Sequence, residues 1–136
     1  MRACIINPIQ KVFFEGVVYD IEPANGFGGF CDCGGWMSQK GWVEDWLMIA
    51  ECENCWKIEA FLYENYRFIE RFEIKVLALM DFLNEILTES EFEALVQKAN
   101  GVSYNYSSFS RAKKKLEDMN LKLEEILNHL RGTQLP

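Results

Sequence analysis

No run of apolar residues in this chain approaches the roughly 18 needed to cross a bilayer as a helix. The longest candidate, VLALM, is closed by Asp81. The opening MRACIINPIQK is not expected to be a secretory leader, because Asn7, Pro8 and Gln10 interrupt any apolar stretch in it. Positive charge is scarce. Fourteen Lys and Arg face 21 Asp and Glu, for a net charge of −7. That field repels nucleic acid and anionic membrane, so binding of a polyanion would require a local basic patch. Histidine is nearly absent, with His129 alone near the C-terminal end. No phosphate loop, dinucleotide fingerprint or serine elbow is found. Without a poised base, nucleophile or open metal the sequence reads as non-enzymatic, with no catalytic residues expected.

The 136 residues are 49% apolar and 14% aromatic. That is globular composition, enough for one domain or two small ones sharing a core. A cytoplasmic protein with no membrane partner is expected. Thiols stay reduced there, so clustered cysteines favour metal over disulfide.

The cysteines are clustered. Cys31 and Cys33 lie in CDCGG, and Cys52 and Cys55 in ECENCW. Two short knuckles with two thiolates each meet the tetrahedral demand of a structural zinc ion. The interval between them is long enough for a hairpin to bring them together. Gly34 and Gly35 follow the first pair, where the chain must turn tightly around sulfur. Cys4 is left over and reads as a small apolar strand residue. Residues 28–62 resemble a zinc ribbon: a CxCGG knuckle, a strand, a CxxC knuckle and another strand. They differ from it in having CxC for CxxC in the first knuckle and Trp56 where a glycine normally follows the second. The resemblance implies a closed structural zinc site that substitutes for a core about 60 residues cannot supply alone. Asp32, Glu51 and Glu53 flank the ligands, with no Lys or Arg inside either knuckle. All four tryptophans (Trp36, Trp42, Trp46 and Trp56) fall in this region. They either shield the metal and dock the ribbon or form an aromatic surface for a protein partner.

The chain changes character near residue 64. Residues 1–63 hold all five cysteines and seven of the nine glycines, with β-rich segments such as VFFEGVVYDIE and KIEAFLYE. Beyond it, Ile69, Phe72, Val76, Leu79, Leu83 and Ile86 step by three and four, the stripe of a helix. The segment YRFIERFEI also reads as strand. TESE at Thr88–Glu91 is a capping box opening a second helix, which Asn100 and Gly101 end. Phe109, Ala112, Leu116, Met119, Leu123, Ile126 and Leu130 continue the step and predict one long third helix of about 36 Å. The expected fold is therefore α+β: an antiparallel, zinc-ribbon-like part over 1–63, then three helices over 64–136, the last one long.

Residues 69–119 resemble a helix-turn-helix domain through EFEALVQKA, GVS at 101–103, and SSFSRAKKKLEDM as recognition helix. The resemblance implies DNA contacts from Ser107, Ser108, Arg111, Lys114 and Lys115. Over 107–131 six basic side chains face four acidic ones, against the acidic trend of the rest. The basic run otherwise reads as a solvated face. Two functional readings result. One is a small zinc-containing DNA-binding or transcription-regulating protein. The other is a protein-interaction adaptor built on the tryptophan-rich ribbon and the long helix. The regular spacing of that helix also suits a homodimer.

Overall fold

A computed structural model describes residues 1–135. Ten strands precede four helices. The strands are β1 Ala3–Asn7, β2 Lys11–Phe14, β3 Val17–Asp20, β4 Glu22–Pro23, β5 Phe27–Phe30, β6 Trp36–Val43, β7 Leu47–Cys52, β8 Ile58–Glu64, β9 Arg67–Glu73 and β10 Lys75–Ala78. The helices are α1 Leu79–Ile86, α2 Glu89–Ala99, α3 Tyr106–Asp118 and α4 Leu123–Leu130. The chain divides into two compact units. One holds Met1–Phe14 with Tyr19–Val76, the other Glu15–Val18 with Leu77 onward. The break thus falls at 76/77, where the sequence reading put it at 63/64, because β9 and β10 extend the strand region past the change in composition.

The strands form two sheets, one of order β10–β1–β2–β3 and one of order β4–β6–β7–β8–β9, with β5 also pairing β6. β7 explains how the larger sheet is used on both faces. Its side chains alternate, and both sets are apolar. Leu47 and Ile49 enter a cluster with Val12, Phe14, Val43, Ala60 and Ile74. Met48, Ala50 and Cys52 enter a second cluster with Cys31, Met37 and Phe61. Cys52 is thereby carried to the far face, at the end of an apolar row.

The helical stripe drawn through Ile69, Phe72 and Val76 is corrected. These residues lie in β9 and β10, and only Leu79, Leu83 and Ile86 of that series are helical. Asn65 and Tyr66 both have positive φ, 52° and 64°, which makes the two-residue turn that favours a hairpin. β9 then pairs with β8, placing Phe72 opposite Ala60 and Glu70 opposite Leu62. Long-range pairing overrides the local period.

The second unit has four helices rather than three. Thr88 closes the expected capping box: its Oγ1 accepts from the Glu91 N–H at 3.3 Å, and its own N–H donates to Glu91 Oε1 at 2.9 Å. Gly101, at φ 72°, ends α2 as expected. The long last helix is broken in two. Asn120 sits at φ 69° directly after the α3 cap. Its N–H bonds the Glu117 carbonyl at 3.0 Å, and the Leu121 N–H bonds the Leu116 carbonyl at 2.9 Å. This is a Schellman ending, with Leu116 and Leu121 supplying its buried apolar pair. Leu121 continues the core of the unit, alongside Phe82, Leu83, Leu95, Leu116, Ile126 and Leu130.

Candidate metal centre

The first knuckle joins β5 to β6. The Cys31 N–H donates to the Gly35 carbonyl and the Gly34 N–H to the Cys31 carbonyl, both at 2.9 Å. Gly34 takes φ 87°, a conformation that costs glycine little. Gly35 is required for a different reason. A Cβ there would lie 2.7 Å from Cys52 Sγ and 2.8 Å from Asn54 Cβ. The second knuckle joins β7 to β8. The Asn54 and Cys55 N–H groups both point at Cys52 Sγ, at 3.4 Å.

The two knuckles bring all four sulfurs within 4.8 Å of one another. Cys31 and Cys55 are 3.6 Å apart, and Cys33 and Cys52 are 3.5 Å apart. Metal–sulfur bonds of about 2.3 Å make the edges of a tetrahedron about 3.8 Å long. The cluster is therefore close to the size a tetrahedral thiolate metal requires. The Asn54 side-chain amide, and then the Gly35 N–H, lower the Cys33 thiol to about 6. The Lys57 N–H favours a Cys55 thiolate, but desolvation and the three crowding sulfurs push that thiol up to about 12. Four thiolates around a divalent ion would leave a net charge of −2. Lys57 is the cation at hand, 3.9 Å from Asp32 and 3.3 Å from Glu59. Cys4 stands apart in β1, buried, its thiol raised to about 11 by desolvation.

Trp56 occupies the position after the second knuckle with φ 67° and a side chain 68% exposed. The backbone thus adopts the left-handed conformation that glycine would take there, at a cost of roughly 1–2 kcal/mol for an L side chain. Trp36 is also exposed, in van der Waals range of Phe27 with ring centroids 4.4 Å apart, and Phe30 is 61% exposed. Trp42 and Trp46 are half-buried. The tryptophans therefore split between packing and surface.

The residues expected to touch DNA are placed differently from the expectation. Ser107 and Lys114 are exposed, but Ser108 is buried, its N–H capped by Asn105 Oδ1 at 2.9 Å. Arg111 and Lys115 converge on Glu91 of α2, at 3.5 and 2.7 Å. Glu91 is 2% exposed. Its partnership could not be read from sequence, since the capping box already explained the residue.

The sequence matches two family descriptions end to end: an AF0631-like N-terminal beta-barrel domain over residues 2–76 and an AF0631-like C-terminal four-helix domain over residues 77–129. The chain belongs to the AF0631-like family. A relative from Archaeoglobus fulgidus, bearing the name "Uncharacterized protein", is 38% identical over 135 residues, covering 93% of this chain and 98% of its own. No solved structure matches. The family descriptions agree with the structural division at 76/77 and with four helices. They place the knuckles of this AF0631-like chain in a barrel domain, and no zinc-ribbon family is among the matches. No helix among the described residues is long and apolar enough to cross a membrane.

Proposed function

We propose that this protein is a zinc-stabilised protein-interaction module, an adaptor and not an enzyme. Its ribbon-like knuckles form a closed structural site. The observation that carries the reading is aromatic surface around the cysteine cluster: Phe30, Trp36 and Trp56 are 61%, 47% and 68% exposed. Large aromatics are costly to leave in water and are the usual anchors of protein interfaces. Zinc suits the site because four thiolates leave no open coordination position for chemistry. Its role is to fold the two knuckles and hold the aromatics in place.

The alternative DNA-binding reading retains Ser107 and Lys114 as exposed groups on α3, with Arg111 and Lys115 shared with Glu91. One experiment separates the two. Zinc-loaded protein is offered extract from its source cells and, in parallel, a random duplex pool at about 50 and 200 mM salt. The adaptor reading expects a discrete protein retained at stoichiometric levels. Retention should be lost in a Phe30→Ser, Trp36→Ser variant that keeps its zinc and its melting temperature. Enrichment of one duplex motif, abolished by charge reversal at Arg111 and Lys114, would overturn it in favour of DNA.

A further inference from the structure

Glu59 puts a charge into an apolar row. It stands opposite Ala50 in the β7–β8 ladder, so its side chain shares a face with Ala50 and Cys52. Those two pack with Cys31, Met37, Met48 and Phe61. Glu59 itself is 4% exposed. Its two carboxylate oxygens serve different knuckles. Oε2 accepts from Arg71 Nε at 2.6 Å. The Arg71 guanidinium also donates to the Phe30 carbonyl at 2.9 Å, one residue before Cys31. Oε1 lies 3.3 Å from the Lys57 ammonium. The Lys57 carbonyl accepts from the Cys52 N–H at 2.8 Å and so closes the second knuckle. The Lys57 ammonium lies 3.9 Å from Asp32, between Cys31 and Cys33.

We infer that Glu59 is a positioning residue of the metal centre: through Arg71 and Lys57, its carboxylate holds the two knuckles at the separation that four thiolates around one ion require. This deepens the reading of the cysteine quartet as a structural metal site, and rests on it. Three features select it. First, the sheet does not need the charge. β8 is laddered to β7 on one side and to β9 on the other. A buried ion pair adds little net stability over an apolar side chain, which here would simply extend the row. What the carboxylate supplies is direction, one arm to each knuckle. Second, β5 does need an anchor. It pairs with β6 only at Phe27 and Phe30, with a register shift between them. The Arg71 bond to the Phe30 carbonyl fixes the strand end that leads into Cys31. A planar guanidinium can hold the carboxylate and that carbonyl together. Third, the group does not act through its field. Asp32 and Glu59 cancel Lys57 and Arg71, so the network leaves the negative charge of a thiolate centre as it is.

The test titrates the full-length protein with cobalt(II), whose visible absorption reports a tetrahedral thiolate site, and then with zinc against a chromophoric chelator. Glu59→Gln keeps the shape of the side chain and loses its charge. By field alone this would tighten metal binding, because it removes a negative charge beside a centre that is itself net negative. Positioning requires the opposite sign: zinc affinity should fall about tenfold or more, with the parent's cobalt spectrum reached at saturation. Arg71→Lys keeps the charge, but an ammonium does not bridge the carboxylate and the Phe30 carbonyl as the planar fork does, and the loss should be similar. Glu73 is exposed and stands opposite Glu59 in the β8–β9 ladder, outside the network. Glu73→Gln should leave zinc affinity unchanged. Parental or tighter affinity in both Glu59→Gln and Arg71→Lys overturns the inference and leaves the metal reading standing. So does an equal loss in Glu73→Gln, which would make the effect one of sheet stability. If Glu59→Gln does not fold, Arg71→Lys decides alone. A parent that takes up neither cobalt nor zinc overturns the inference and the metal reading together.

Discussion

Gly35 stands so close to Cys52 that a side chain on it would place its Cβ 2.7 Å from the Cys52 sulfur. The contact ties the two knuckles together and makes Gly35→Ala a probe of the metal centre alone. The alanine must push Cys52 or Asn54 aside, which opens the thiolate cluster. Zinc affinity is expected to fall by about 100-fold or more, measured by competition with a chromophoric chelator. Gly34→Ala meets open space and suffers from its φ of 87° instead. It should cost about 1 kcal/mol of stability with a smaller change in affinity. Equal zinc affinity in Gly35→Ala and the parent would contradict the geometry.

Asn54 turns its side-chain amide toward Cys33 Sγ at 3.5 Å. Groups behind a metal ligand typically change affinity by about 10–100-fold when removed. Asn54→Ala is therefore expected to lower zinc affinity about tenfold. Cys33→Ser or a strong chelator should go further and unfold the β5–β6 and β7–β8 connections. Amide exchange across residues 28–62 reads this directly. Unchanged protection with no metal by elemental analysis would remove zinc from the account.

The cysteine quartet was fully legible in the sequence because its signal is spacing, and spacing survives any surrounding fold. The capping box at Thr88 and the stop at Asn100 and Gly101 were legible for the same local reason. What sequence could not reveal depended on partners far along the chain. Ile69 and Phe72 fit a helical stripe, but β8 recruits them into a sheet through the turn at Asn65 and Tyr66. The stripe from Phe109 to Leu130 persists across two helices because the reversal at Asn120 happens to keep Leu116 and Leu121 in one core. The row Trp42, Met48, Phe61 and Arg71 was invisible because these residues are adjacent only through strand register.

The ending of α3 gives its own test. Asn120 holds φ 69°, and its side-chain amide reaches the Val18 carbonyl at 3.4 Å. Asn120→Gly keeps the left-handed conformation and is expected within about 0.5 kcal/mol of the parent. Asn120→Val forces a β-branched side chain into that conformation and should cost about 1–2 kcal/mol in urea unfolding. A continuous α3–α4 helix would reverse this order, with glycine the worse of the two.

Trp56 separates fold from function. Its backbone is in the glycine conformation and its ring is 68% exposed. Trp56→Gly relieves the left-handed strain but frees the unfolded chain, two terms of about 1 kcal/mol each and opposite sign. Stability of the zinc-loaded protein should therefore change by less than about 1 kcal/mol. Partner retention, by contrast, should drop if Trp56 is an anchor. A loss of several kcal/mol would mean that the ring packs against the knuckle and belongs to the fold.

Glu91 makes the helical unit acid-sensitive. Burial raises its carboxyl, but the Lys115 ammonium at 2.7 Å and the Thr88 N–H outweigh burial, so it titrates below the ordinary value of 4.5. A carboxyl depressed in the folded state binds fewer protons there than in the unfolded chain. Its contribution is complete above the unfolded value and is lost as pH falls through the folded one. Unfolding of the C-terminal unit should therefore become easier below about pH 4.5, with the slope reduced in Glu91→Gln. The glutamine keeps the shape of the capping box but loses both ion pairs, and is expected to cost about 1–2 kcal/mol at pH 7. Lys115→Met should lower stability less, since Arg111 still faces the carboxylate. An identical acid transition in the parent and in Glu91→Gln would assign the titration to other groups.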